Sequence, residues 1–160
     1  MYLPIGFTLH LSFMGEKYTG ENGFLEMRIE EDILHVYYKA GLKLTLESSK
    51  DIVKERLKFL DGRVYPMIVF YEDSVCMDKP SRDYFASDEG MQGIKAAAFI
   101  KNSAFSRMLV GFFLGMNIPK IKIDARAFTD LNEAVNWLKS LVLNFDKADR
   151  QDKLTARIEN

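Results

Sequence analysis

The sequence predicts an α/β domain with a mixed, mostly parallel sheet and helices on its faces. Residues 24–39 are typical of a β-hairpin, because apolar and polar residues alternate along its first half and β-branched and aromatic residues crowd its second half. Beyond Gly41, helical patterns alternate with apolar runs at VYPMIVFY (64–71), IKAAAFI (94–100) and KIKIDA (120–125). This alternation requires parallel strands joined by right-handed crossovers.

The hairpin is the part of the sheet that the sequence defines most clearly. Leu25, Met27 and Ile29 alternate with Glu26, Arg28 and Glu30, which is the pattern of a half-buried strand. The acidic turn Glu31-Asp32 leads into ILHVYYK (33–39), the second strand.

Two helices are predicted next, one before and one after the strand at 64–71. Thr45 or Ser48 caps a helix that runs to about Leu60 and ends at Asp61-Gly62. The run 64–71 is apolar throughout, as expected for a strand covered on both faces. Lys79-Pro80-Ser81 then begins a second helix, since a Pro in the first turn costs little. Its apolar side comprises Tyr84, Phe85 and Met91, and it ends at Gly90 and Gly93.

The last two helices enclose the third crossover strand. Residues 103–116 form a helix capped by Asn102 or Ser103. Asp130 and Glu133 have the spacing of a capping box for the final helix, with Thr129 as the rival cap. Apolar residues recur along one face of that helix at Leu131, Ala134, Val135, Leu138, Leu141 and Val142.

These patterns divide the chain into three parts. Residues 1–22 are an N-terminal extension or an added edge strand, residues 23–143 are the α/β domain, and residues 144–160 are a polar tail, read as a frayed helix or a disordered end. The segment 1–14 is apolar, but it has no basic start and no small-residue cleavage site, and it is too short to span a bilayer.

Composition narrows the classes of function. The 22 basic and 23 acidic residues give a formal net charge of −1, which offers no electrostatic reason to expect nucleic acid as a partner. One Cys and two His exclude an intrachain disulfide and argue against a resident metal ion. No phosphate-binding glycine loop or paired acid/base set is visible, so no cofactor and no catalysis are expected. A cytoplasmic protein without a transmembrane segment is the simplest interpretation.

Several phrases of the sequence resemble a known family. They are RDYFAS (82–87), IKAAAFI (94–100), SAFSRMLVGFFLGMNIPK (103–120) and AFTDLNEAVNWLK (127–139). The chain resembles the SpoIIAA-like, or STAS-like, small α/β domains, in a branch of mostly uncharacterised bacterial proteins. The resemblance implies a regulatory or protein-interaction module, and a related topology underlies lipid-binding domains.

In phosphorylated members of that family, a serine follows an Asp on the loop between a central strand and the next helix. The resemblance therefore marks Ser74 and Ser81 as candidate phosphosites, although neither reproduces the Asp-Ser pattern at the helix start. Around Ser81, Lys79, Arg82 and Asp83 form either a polar ligand site or solvated charges at a helix start. Other single residues carry weaker signals: Cys76 lacks an activating neighbour, and His35 is expected to be a packed or half-exposed strand residue.

The segment 103–116 is unusually apolar for a surface helix. It carries a G-x-x-x-G spacing at Gly111 and Gly115 and almost no polar face beyond Arg107. This helix is either buried deeply against the sheet or exposed to a partner or an apolar ligand. The candidate surface consists of Phe105, Leu109, Phe112, Phe113 and Met116.

The sequence thus favours a non-enzymatic regulatory or interaction module that binds an unknown protein partner or a second copy of itself as a homodimer. The alternative is a protein that binds a small, lipid-like apolar ligand. Catalysis is the weakest of the three hypotheses.

Overall fold

The computed structural model describes residues 16–21, 23, 25–71, 75–101 and 122–158, and for residues 145–158 it describes the backbone. This part of the chain forms eight strands and three helices. They are β1 Lys17–Thr19, β2 Leu25–Glu30, β3 Ile33–Tyr38, β4 Lys43–Leu44, α1 Leu46–Leu60, β5 Tyr65–Tyr71, β6 Cys76–Met77, α2 Lys79–Phe85, β7 Ile94–Lys101, β8 Asp124–Phe128 and α3 Leu131–Ile158.

Six of these strands form one mixed sheet in the order β1-β2-β3-β5-β7-β8. The pairs β1–β2 and β2–β3 are antiparallel, while β3, β5, β7 and β8 run parallel to one another. β4 and β6 pair separately as a short parallel ribbon. The predicted α/β class with a mostly parallel sheet is therefore confirmed. β1, inside the predicted N-terminal segment, is an edge strand of this sheet.

The hairpin and the first helix end where the sequence predicted. Glu31 and Asp32 both have positive φ, at 51° and 61°, which gives a two-residue turn the twist that antiparallel strands require. Thr45 is the N-cap of α1, and Ser48 completes the capping box by accepting from the Thr45 backbone N–H at 2.9 Å. Asp61 ends α1 in the left-handed region. Thr45 and Ser48, the two residues predicted as alternative caps, thus form one capping box.

Helices cover the sheet on both faces, and each face has its own buried cluster. On the first face, α1 and α2 contribute Ile52, Leu60 and Phe85 to a cluster that includes Met67 and Val69 of β5. On the second face, α3 packs on the alternate residues of the same strands. That cluster comprises Ile33, Ile68, Ala96, Ala98, Ile100, Phe128, Ala134 and Leu138. Residues 67–70 of the predicted run are thus covered on both sides, as the sequence predicted, whereas Val64 at its start is 47% exposed.

The second helix is shorter than predicted. α2 ends at Phe85 rather than near Gly90, because the Ser87 hydroxyl donates to the Tyr84 carbonyl at 2.6 Å and accepts from the Gly90 N–H at 3.1 Å. Residues 86–93 then form turns that lead into β7.

The third strand after the hairpin lies further along the chain than the sequence predicted. The structure has β8 at Asp124–Phe128, paired in register with Ala96–Ile100 of β7, instead of at 120–125. Lys122 lies before the strand and forms an exposed ion pair with Asp88. Ala125 and Ala127 pack against the first cluster, and strand propensity disfavours alanine, so the sequence did not mark this segment.

The final helix begins as predicted and continues much further. Asp130 accepts a hydrogen bond from the Glu133 N–H at 2.9 Å, so it is the cap that the sequence favoured. α3 runs through Ile158, so the backbone of the predicted tail is helical rather than disordered. No helix in the described ranges is long and apolar enough to cross a membrane.

Candidate functional site

The candidate surface at 105–116 lies outside the described residues. The same is true of Ser74, and both stay predictions from the sequence. The structure describes the other candidates, which are Ser81 with the polar turn around it, Cys76 and His35.

Ser81 has a structural position at the start of α2. Its side chain has no exposed surface, and its hydroxyl donates to the Leu44 carbonyl at 2.9 Å and contacts the Asp78 Oδ1 at 2.5 Å. Asp78 is the N-cap and accepts the Ser81 N–H at 2.8 Å. These bonds hold the pKa of Asp78 below its ordinary value. The hydroxyl joins α2 to β4, and a kinase would reach it only after this turn opens.

The charges of the same turn are engaged in local contacts. Lys79 pairs with Asp83 one turn further along α2 at 2.5 Å, and Arg82 donates to the Met77 carbonyl at 2.6 Å. Cys76 is exposed in β6, and its backbone N–H donates to the Leu42 carbonyl. In the described part of the chain, no group of three or more His, Cys, Asp or Glu side chains is placed to hold a metal ion.

An aromatic cluster lies on the second face of the sheet and consists of His35, Tyr37 and Phe70. Tyr37 and Phe70 stack with ring centroids 4.2 Å apart and nearly parallel planes, and His35 stacks on Phe70 at 6.0 Å. The Arg28 guanidinium lies 5.6 Å from the Tyr37 centroid. His35 is 6% exposed, so it takes the packed one of its two predicted positions, and no described residue bonds its Nδ1.

His35 makes folding stability dependent on pH. Burial lowers its pKa, and this outweighs the raising effects of Glu30 and Glu31, while the Arg28 charge lowers the pKa further. The unfolded state therefore binds the proton first as pH falls below about 6.5. We expect the free energy of unfolding to have its full value above about pH 6.5. Below that pH it should decrease by at most about 1.4 kcal/mol per pH unit, until the pH falls below the folded-state pKa of His35.

Urea unfolding of His35→Gln between pH 5 and 8 tests this dependence. The variant should lose most of the slope below pH 6.5, whereas His10→Gln, at the other histidine of the chain, should keep it. An equal slope in His35→Gln and the native chain would show that His35 is not the responsible group.

A small cavity lies under α1, with one side open to the surface, and is called the Arg56 cavity. It has a volume of about 30 Å³ and lies among α1, β3, β5, β7 and the turns after α2. Its lining consists of Tyr38, Arg56, Met67, Val69, Phe85, Gly90, Met91 and Phe99. Burial raises the pKa of the Tyr38 hydroxyl to about 12. The lining is thus largely apolar, with a phenol and a guanidinium as its polar side chains.

Arg56 was not among the candidates that the sequence suggested. It lies one helical turn from both Ile52 and Leu60, which are buried apolar residues of α1. An arginine between apolar residues of the same helical face could have marked this position, because a charged side chain on a buried face requires polar partners.

A second, larger cavity of about 160 Å³ lies at the surface beside the first half of α1. Its lining includes the acidic residues Glu47, Asp51 and Glu55. Partial burial raises the pKa of Glu55, and the nearby Glu21 and Asp51 charges raise it further. Such a groove repels anions.

α3 reaches the far edge of the sheet before its midpoint. Leu138 and Leu141 still pack in the second cluster, and the Lys139 ammonium forms an ion pair with Glu31 in the β2–β3 turn. This turn lies at the edge where the parallel strands begin. Leu143 is already 61% exposed. Residues 142–158 continue the helix for about 25 Å beyond these contacts, and this segment is called the α3 extension.

Comparison with known proteins identifies a family by its sequence. The family model described as "Domain of unknown function (DUF7793)" matches residues 27–142, which comprise most of the chain from β2 to the start of the α3 extension. Neither the curated proteins nor the solved structures contain a match.

Proposed function

We propose that this chain, which belongs to the DUF7793 family of domains of unknown function, is a non-enzymatic interaction module of the STAS-like type. The fold supports this proposal through its hairpin, its sequential parallel strands and its helices on both faces, an arrangement that fits a SpoIIAA-like domain. In this account the protein acts in the cytoplasm by binding a protein partner, which includes a second copy of itself.

The α3 extension is the observation that carries the proposal. The whole helix has 28 residues, or about 42 Å, whereas the longest strand of the sheet has 8 residues, or about 26 Å. The first three turns already cross the sheet. The remaining turns make the helix much longer than any strand of the described sheet, and the family match ends where they begin.

The composition of the extension suits a contact with another protein. Acidic and basic residues are spaced four apart at Asp146–Arg150 and Asp149–Lys153, which stabilises a solvated helix by only a few tenths of a kcal/mol per pair. In proteins, most of the stability of a helix comes from the tertiary packing of one face rather than from helix propensity. Burial against a partner supplies the stabilisation that the charge pairs do not.

Breaking the extension tests the proposal. Ala148→Pro removes one backbone donor and places the ring against the preceding turn, at a cost of about 3 kcal/mol in a helix interior. If the extension is the contact, partner affinity should fall by about 100-fold. The melting temperature of the domain should change by less than about 4 °C, because the substitution lies beyond the residues that pack on the sheet.

Ala148→Ser is the matched control, since it keeps the backbone donor and should retain binding. Pull-down from the native cell and sedimentation at several concentrations distinguish a heterologous partner from a homodimer. Equal capture and equal self-association by both variants would contradict the proposal.

A second candidate function is the binding of a small apolar ligand. The Arg56 cavity favours it, because its lining is mostly apolar; at about 30 Å³ it holds one end group of a ligand, and the rest of the ligand would lie outside it. The chemistry of its two polar side chains specifies what the ligand would be.

A further inference from the structure

Arg56 is a buried cation whose hydrogen bonds are incomplete. The residue is 4% exposed, and its Nη2 donates to the Gly90 carbonyl at 2.6 Å and to the Gln92 carbonyl at 3.2 Å. Its Nε–H is buried, and no described residue accepts it. Both contacts that Nη2 makes are to neutral carbonyl groups, so they solvate the guanidinium without balancing its charge.

No carboxylate in the described part of the chain forms an ion pair with Arg56. The ionisable groups that face it are the Tyr38 and Tyr84 hydroxyls, and burial raises the pKa of both. The two phenols are therefore neutral at physiological pH, and the Tyr84 hydroxyl donates to Glu89 at 3.0 Å. A buried charge without a counter-charge costs several kcal/mol, so this position calls for an anion.

The cavity beside Arg56 limits the size of that anion. A volume of about 30 Å³ accommodates about two water-sized groups. A single negative charge balances one guanidinium, and a carboxylate fits the volume better than a tetrahedral phosphate. Phe85 and Met91 are half-buried, so this side of the lining reaches the surface and is apolar.

We propose that the Arg56 cavity binds the carboxylate end of a monocarboxylic molecule, which accepts the Arg56 Nε–H while its apolar remainder lies along Phe85 and Met91. This inference rests on the second candidate function and specifies its ligand. Two sources share this chemistry: a short free acid that fills the cavity alone, and a longer amphipathic acid whose chain leaves it.

Calorimetric titration of the full chain with acetate, with octanoate below its micelle-forming concentration and with 1-octanol tests the inference. Octanoate should bind at least tenfold more tightly than octanol. It should also bind more tightly than acetate, which would show that the apolar chain of the ligand contributes to the affinity. Equal affinity for acetate and octanoate would assign the site to a short acid. Arg56→Met should reduce octanoate affinity to that of octanol, whereas Arg63→Met, at an exposed arginine paired with Glu16, should not.

A measurement on the native chain keeps the inference independent of how well Arg56→Met folds. The Arg56 Nε–H resonance should shift on addition of octanoate and stay in place with octanol. Equal binding of octanoate and octanol, or an unmoved resonance, would overturn the carboxylate assignment and leave apolar-ligand binding standing. Absence of binding by all three probes would overturn both.

Discussion

Replacing Gly90 with Ala is expected to destabilise the protein by about 3 kcal/mol, at the upper end of the usual cost of overpacking. A Cβ at this position would lie 2.0 Å from the Tyr84 carbonyl oxygen and 2.8 Å from the Phe85 Cα. Both are backbone atoms of α2, so no side-chain rotation relieves the clash. The Gly90 carbonyl also accepts from Arg56, and displacement of the turn would weaken that bond.

Denaturant unfolding of Gly90→Ala, compared with Gly62→Ala, separates this steric effect from backbone strain. Gly62 has a φ of 76°, and apart from its chain neighbours no described residue comes within 4 Å of the position that an added methyl group would take, so its substitution carries only the strain of the left-handed region. That strain costs about 1–2 kcal/mol. If Gly90→Ala is no more destabilising than Gly62→Ala, this would contradict the close contact between the Gly90 turn and α2.

Leu138→Ala should cost between about 2 and 5 kcal/mol, toward the upper value. Leu138 has no exposed surface and holds α3 on the second face of the sheet. The facing residues of β7 in its cluster include Ala96 and Ala98. Their methyl groups are too short to move into the space that the larger side chain leaves, so the cavity stays open.

Leu131→Ala is the matched control on the same helix, because Leu131 is 40% exposed and its truncation should cost less than about 1 kcal/mol. Trp137 is the single tryptophan of the chain and packs against Phe128 at 5.3 Å, so its fluorescence reports on the docking of α3. A Leu138→Ala variant as stable as Leu131→Ala would contradict the packing of α3.

Local signals in the sequence determined much of this fold. The Glu31-Asp32 turn, the Thr45 and Asp130 caps and the apolar run 64–71 each follow from short-range chemistry, and the structure confirms all four. β8 was misplaced because strand pairing with β7 determines its position, and the alternation KIKI in 120–123 is the stronger local pattern.

The candidate site was harder to predict for a different reason. Ser81 was singled out by its place at a helix start, but its hydroxyl is buried by a contact with β4 that no local pattern shows. Arg56 depends on carbonyl groups more than thirty residues away along the chain. The sequence left two alternatives for the end of α3, a frayed helix or a disordered end, since this charged half has little apolar periodicity to predict a continuous helix.

Site-specific photo-crosslinking in the native cell tests the central claim most directly. A photoreactive residue at position 149, in the α3 extension, is compared with one at Lys54, which is exposed on α1. The proposed function predicts a discrete crosslinked protein, or a crosslinked dimer, from position 149 and none from position 54. No crosslink from position 149, or the same products from both positions, would contradict an interaction module that binds through its last helix.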